Sequence, residues 1–162
     1  KKFESEADVI INIQGDEPYI SPSQIDFLVG SFDDSSIQIA TLAKQIEDTE
    51  TLFSPNKVKV IMDKNSDAIY FSRQVIPYLK GFSKDLWPKE KSYFKHIGMY
   101  AYRTNILKNL VELDQTSLEL SESLEQLRWI ENGYKIRVLK TEEEAFAIDT
   151  PEDLIKLIDL KR

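Results

Sequence analysis

The stretch Val9-Ile10-Ile11-Asn12-Ile13-Gln14-Gly15-Asp16-Glu17-Pro18 narrows the possible folds more than any other part of the chain. Its apolar run is short, β-branched and not alternating, which suits a strand covered on both faces. Gly15 permits a backbone conformation that a side chain would block, and Pro18 ends the ladder. Asp16 and Glu17 are thereby placed where the chain leaves the sheet, which is where α/β enzymes usually put their chemistry. An acidic surface turn is the competing reading, and this stretch alone does not decide between them.

Further along, strands and capped helices alternate. Ser21-Pro22-Ser23-Gln24 has the form of a helix start, with Ile25, Leu28 and Val29 as its apolar face. Ile37 to Ala43 alternates as a strand, and a short helical turn follows around Glu47 to Phe53. Val58 to Met62 and Ala68 to Phe71 flank Asp63-Lys64-Asn65-Ser66-Asp67, the pattern of an antiparallel hairpin. Residues Leu79 to Ser92 lack either periodicity and read as a long surface loop. Phe94 to Arg103 returns to strand character, and its period of two puts Phe94, His96, Gly98, Tyr100 and Tyr102 on one face. Thr104 is expected to cap a short helix through Leu110. Thr116-Ser117-Leu118-Glu119 is a capping box opening a longer helix that Gly133 closes, with Leu120, Leu124, Leu127 and Ile130 as its core stripe. Tyr134 to Leu139 is another strand. Ala145 to Pro151 delivers Asp149 just before a last helix that starts at Thr150 and turns Leu154, Leu157 and Ile158 inward. The pattern predicts an α/β sheet with an antiparallel element.

A chain of 162 residues is the usual size of one domain, and no repeat, low-complexity tract or linker divides it. The net charge of -7 would repel nucleic acid and anionic membranes. An anionic ligand would then need a local cation or a metal. With no Cys, disulfides and thiolate metal sites are excluded, which fits a reducing compartment and a cytoplasmic location. No apolar run approaches the roughly 20 residues that span a bilayer, so no membrane partner is expected. No initiator Met begins the sequence, which suggests a piece of something longer.

Candidate chemistry sits at the strand ends. Asp16 and Asp149 would together supply hard oxygen ligands for Mg²⁺, although local sequence alone favours a helix-capping role for Asp149. Glu17 reads as a solvated turn residue. The chain's single histidine, His96, excludes sites built on paired imidazoles. It reads either as a satisfied core residue or, since Gly98 leaves a gap before Tyr100, as a contact for a small polar ligand. Arg73 leaves a strand exit where a guanidinium can take a carboxylate in bidentate fashion; a surface Arg is the alternative. Glu119 is explained by its cap, and Glu122, Glu125 and Trp129 lie along one ridge with Gln126 beside them, a pattern most often of a solvated face. Gly-rich phosphate loops and the nucleophile elbow of hydrolases are absent.

Taken together, Ile13-Gln14-Gly15-Asp16-Glu17-Pro18, Tyr70-Phe71-Ser72-Arg73, His96-Ile97-Gly98-Met99-Tyr100-Ala101-Tyr102-Arg103, Leu124-Glu125-Gln126-Leu127-Arg128 and Asp149-Thr150-Pro151-Glu152-Asp153-Leu154 resemble the 3-deoxy-D-manno-octulosonate (Kdo) cytidylyltransferases. These are the CMP-Kdo synthetases of lipopolysaccharide precursor synthesis. The resemblance runs in order over nearly the whole chain. It implies a three-layer, Rossmann-like α/β nucleotidyltransferase fold with a mixed sheet, a homodimer, and a reaction joining CTP and Kdo to give CMP-Kdo and pyrophosphate. It assigns Asp16 and Asp149 to catalytic Mg²⁺, and Gln14, Arg73, His96, Tyr100, Glu125 and Gln126 to the Kdo sugar. Arg73 would take the sugar's carboxylate.

Two departures from the family pattern stand out. Family members begin with a strand and a basic, Gly-containing loop for the CTP phosphates, and nothing like it precedes Lys1. The chain is therefore expected to be the carboxyl-terminal two-thirds of a longer cytidylyltransferase, lacking the nucleotide-binding part and turning over no CTP by itself. Glu142-Glu143-Glu144 also stands where relatives more often carry Gly-containing sequence. A synthetase for sialic acid and a non-catalytic sugar-binding or dimerisation module are the alternatives.

Overall fold

Strand β5 (Tyr93–Arg103), eleven residues long, is the element on which the sheet of this computed structural model is assembled. The structure describes residues 7–14 and 21–143; Gly15 to Pro18, the Asp149 segment and the expected last helix lie outside the described residues. One edge of β5 pairs antiparallel with β2 (Ile39–Ile46) along nearly its whole length. The other edge is shared. There β1 (Val9–Asn12) pairs with Tyr100 to Arg103, while β3 (Lys59–Met62) pairs only at Lys95. Beyond β3 lies β4 (Ala68–Ser72), antiparallel to it, and beyond β2 lies β6 (Ile136–Lys140), parallel to it. The sheet is thus mixed, in the order β4-β3-β5-β2-β6 with β1 beside β5.

The period-two pattern of β5 divides the core as expected. Ile97, Met99 and Ala101 pack on one face against Leu28 of α1 (Pro22–Gly30) and Phe32. Tyr100 and Tyr102 pack on the other against Ile106 and Leu110 of α4 (Thr104–Leu110), with Leu127 and Trp129 of α6 (Gln126–Glu131). A third cluster of Ile46, Leu52, Trp87 and Tyr93 closes the Tyr93 end of the strand beneath α2 (Thr49–Phe53) and α3 (Trp87–Glu90). Helices on both faces of a sheet give three layers, and each buried Leu, Ile or Phe contributes about 1.5–3 kcal/mol. Among the described residues no helix is long and apolar enough to cross a membrane.

Several local expectations need correction. The helix opened by Thr116 is two helices: α5 (Ser117–Glu122) ends at Ser123, whose backbone is left-handed (φ 52°, ψ 51°), and α6 starts anew at Gln126. Leu120 consequently points to solvent at 62% exposure, whereas Leu124 and Leu127 are buried. In α1, Val29 is exposed and the polar Gln24 is buried instead, its amide donating to Glu143 O. Ser21 makes no side-chain cap, and Thr104 bonds to Ala7 O rather than capping α4. Nor is 79–92 free of helix. A 3-10 turn at Lys84–Leu86 leads into α3, anchored by Trp87, which is 3% exposed and donates to Phe82 O.

Candidate active site

Because β1 and β3 share one edge of β5 without meeting, Ile97, Gly98 and Met99 have no strand partner on that edge. Opposite, β2 steps from Thr41↔Tyr100 to Leu42↔Ile97, so Gly98 and Met99 form a bulge with no β2 partner either. Bulges re-aim side chains and interrupt pairing. Here the interruption opens a cavity of about 370 Å³ between the end of β1 and the start of β3. That is the volume class of a small-molecule site. Asn12 and Gln14 bring one wall, Asn56 and Lys57 another, and β5 the floor with His96, Gly98, Tyr100 and Tyr102. The α5–α6 elbow closes it with Ser123, Glu125, Gln126 and Trp129.

Arg73 and the elbow hold one another. Arg73 Nε donates to Glu122 O at 2.7 Å, Nη2 to Ser123 O at 3.4 Å and Nη1 to Pro55 O at 3.3 Å. These bonds take three of the five guanidinium N–H groups and leave one on each terminal nitrogen for an anionic partner. Glu122 returns the contact through its side chain, accepting from Ser72 Oγ at 2.6 Å and from Arg73 N at 2.9 Å. The ridge expected along one helix is therefore divided by function of place. Glu122 clasps β4, and Glu125 and Gln126, beyond the break, line the cavity.

Behind this wall Lys59 is fully buried and donates to Ser54 O (2.8 Å), Lys57 O (2.7 Å) and Arg73 O (2.6 Å). It ties the 54–57 turn to the exit of β4. Burial pulls its pKa down to about 8, against the opposing field of Glu122, so it is still an ammonium at pH 7.

The floor is neutral. Burial pulls His96 down to about 3 and pushes Tyr100 well up, with Tyr102 and Glu125 adding to the latter. Tyr100 OH is buried and makes no well-formed hydrogen bond, although the Thr41 hydroxyl lies close enough to oppose part of the upward shift. Edge contacts between Trp129 and both Tyr100 (5.1 Å) and Tyr102 (5.5 Å) fix the floor against α6. The His96 shift has a consequence for stability. The unfolded chain binds this proton near 6.5 and the folded one only near 3, so the unfolded state holds more protons in between. Stability is accordingly lost as the pH falls from 6.5 toward 3. His96→Gln removes that contribution, and urea unfolding at pH 6.5, 5 and 4 is expected to show a shallower decline in the variant than in the wild type.

Six of the residues singled out from sequence, Gln14, Arg73, His96, Tyr100, Glu125 and Gln126, line this one cavity. Asp16 and Asp149 lie outside the described residues. Among the described residues no cluster of three or more His, Cys, Asp or Glu could hold a metal. Sequence reasoning passed over Asn12, Asn56, Lys57, Lys59 and Thr41. Thr41 and Lys59 carried a signal, being polar residues inside runs that otherwise read as buried strand, but no pattern pointed to Asn56 or Lys57.

A mixed sheet with helices on both faces and a polar cleft at a split edge is the nucleotidyltransferase fold, and solved structures share it. HddC of Yersinia pseudotuberculosis, 16% identical, superposes with a TM-score of 0.61 over 99% of this chain and 60% of that one, which shows the fold alone. The structure described as CMP:2-keto-3-deoxy-manno-octonic acid synthetase complexed with CTP superposes with a TM-score of 0.85 at 39% identity, over 96% of this chain and 62% of that one. The model of the family described as Cytidylyltransferase matches residues 1–136, and the chain belongs to that family. Similar curated proteins are named 3-deoxy-manno-octulosonate cytidylyltransferase. The one from Parabacteroides distasonis is 52% identical, aligned over 93% of this chain and 62% of its own length. The one from Bacteroides thetaiotaomicron is 51% identical, over 94% of this chain and likewise 62% of the relative. The chain thus spans somewhat under two-thirds of these relatives.

Proposed function

We propose that the protein works in Mg²⁺-dependent transfer of CMP from CTP to the anomeric hydroxyl of Kdo, releasing pyrophosphate, as a cytoplasmic homodimer in lipopolysaccharide precursor synthesis. The observation that carries this reading is the cavity itself, with a guanidinium fork at one side and a neutral floor of hydroxyl and imidazole at the other. An acidic sugar has that polarity, a carboxylate at one end and hydroxyls along the rest. The names of the similar proteins support the same substrates.

On this reading Arg73 takes the carboxylate, and His96, Tyr100, Glu125, Gln126 and Gln14 take the hydroxyls, orienting the anomeric oxygen. That oxygen attacks the α-phosphorus of CTP; a P–O bond forms as the bond to pyrophosphate breaks, and the hydroxyl proton is released to solvent. Holding the nucleophile in one orientation is the main service such a cavity can offer, since well-oriented reactants avoid much of the entropic barrier. Mg²⁺, for which Asp16 and Asp149 are the proposed ligands, would neutralise charge on the phosphates.

The test is pyrophosphate release with CTP, Mg²⁺ and either Kdo or sialic acid, in protein that includes any coding sequence preceding Lys1. Release with Kdo only is expected. Release with sialic acid but not Kdo would move the activity to another acidic sugar, and no release with either would leave a sugar-binding module.

A further inference from the structure

Strand β2 is buried from Ile39 to Ala43 and apolar there except at Thr41, which has no exposed surface at all. Its Oγ1 lies at hydrogen-bond distance from Met99 O (2.8 Å), Ile97 O (3.2 Å) and His96 Nε2 (2.9 Å), and the Tyr100 phenol also faces it. A hydroxyl carries one proton, and carbonyl oxygens can only accept. Met99 stands in the bulge without a β2 partner, so its carbonyl lacks a ladder donor from that strand and takes the Thr41 proton. Toward the imidazole Oγ1 then presents a lone pair, and Nε2 must supply the hydrogen. The reverse arrangement would set the Thr41 lone pairs against two buried carbonyl oxygens, a repulsive contact on both sides.

We infer that Thr41 is a positioning residue that fixes the tautomer of His96, with the proton on Nε2, so that Nδ1 is the acceptor the ring offers to a ligand hydroxyl in the cavity. The ring is also held in place. Phe71 meets it edge-on at 5.1 Å and Tyr100 lies against it at 5.2 Å, which holds the ring against the half-turn that would put Cε1 in place of Nε2 beside Thr41. Burial keeps the imidazole neutral, the condition under which a tautomer is defined. An acceptor at this point favours a sugar hydroxyl over a ligand group that can only accept. The identity of the ligand rests on the acidic-sugar reading above; the tautomer does not.

The experiment is a two-bond ¹H–¹⁵N correlation of the imidazole in uniformly labelled protein at neutral pH, assigned by comparison with His96→Gln, together with Kdo titration. The wild type is expected to show a single neutral tautomer protonated on Nε2. Thr41→Val, which keeps the side-chain shape without the hydroxyl, is expected to give a mixed tautomer and about a tenfold weaker Kd for Kdo, with Thr41→Ser recovering both. A wild-type ring protonated on Nδ1, or already mixed, overturns the assignment, and that measurement needs no variant. Unchanged tautomer and affinity in Thr41→Val overturn the role of Thr41. Wild-type protein that shows the Nε2 tautomer but binds no Kdo refutes the sugar reading and leaves the tautomer standing.

Discussion

On the proposed activity, Arg73→Ala is expected to raise the KM for Kdo roughly 100-fold, about 3 kcal/mol, and to leave the KM for CTP within a few-fold of wild type. The asymmetry follows from where the guanidinium is held. Its three bonds run to the carbonyls of Glu122, Ser123 and Pro55, so the wall of the cavity, not a nucleotide, is what positions it. Arg73→Lys is expected to recover little, because an ammonium has no planar fork and cannot reach three carbonyls while offering paired donors to a carboxylate. Steady-state kinetics with each substrate varied in turn, in protein that includes any coding sequence preceding Lys1, decides the matter. Equal losses for Kdo and CTP would remove the carboxylate role and make Arg73 a structural tie of the α5–α6 elbow.

Lys59→Ala is expected to cost the fold about 3–5 kcal/mol, which for a chain of this size lowers Tm by on the order of 10 °C. The reason is what the ammonium leaves behind. Three part-buried carbonyls, of Ser54, Lys57 and Arg73, lose their donor together, and each group left unsatisfied costs up to about 1–3 kcal/mol before relaxation. Lys59→Met separates the terms, since it restores most of the volume and removes a buried charge without giving the carbonyls a donor. A loss close to that of Lys59→Ala is expected by thermal denaturation. Met as stable as wild type would mean that desolvation of the ammonium outweighs its three bonds, as buried ions sometimes do.

Most of what shapes the cavity floor was legible in the sequence, and most of what shapes its walls was not. The period-two pattern of Phe94 to Arg103 placed His96, Gly98, Tyr100 and Tyr102 on one face, and all four line the cavity. Strand periodicity survives because it is local: alternate side chains point the same way whatever packs above them. The bulge at Gly98 and Met99 does not upset the pattern, because it takes two residues and so keeps the parity. The elbow is different. Leu120, Leu124, Leu127 and Ile130 fit one continuous helix, and only contacts from far along the chain break it. Arg73 and Ser72 bond to Glu122 and Ser123 across some 50 residues, and Ser123 adopts the left-handed region without a glycine to announce it. Trp87 was hidden for the same reason. A single four-residue helix offers no period to read, and its burial depends on Tyr93 and Phe53 beyond it.

The central claim is that the cavity between β1, β3 and the α5–α6 elbow receives an acidic sugar, and a crystal structure of the protein soaked with Kdo tests it most directly. The predicted result is a sugar whose carboxylate sits on the terminal nitrogens of Arg73 and whose hydroxyls reach Tyr100 OH and His96 Nδ1. Sugar bound elsewhere on the molecule, or in the cavity with its carboxylate turned away from Arg73, would contradict it.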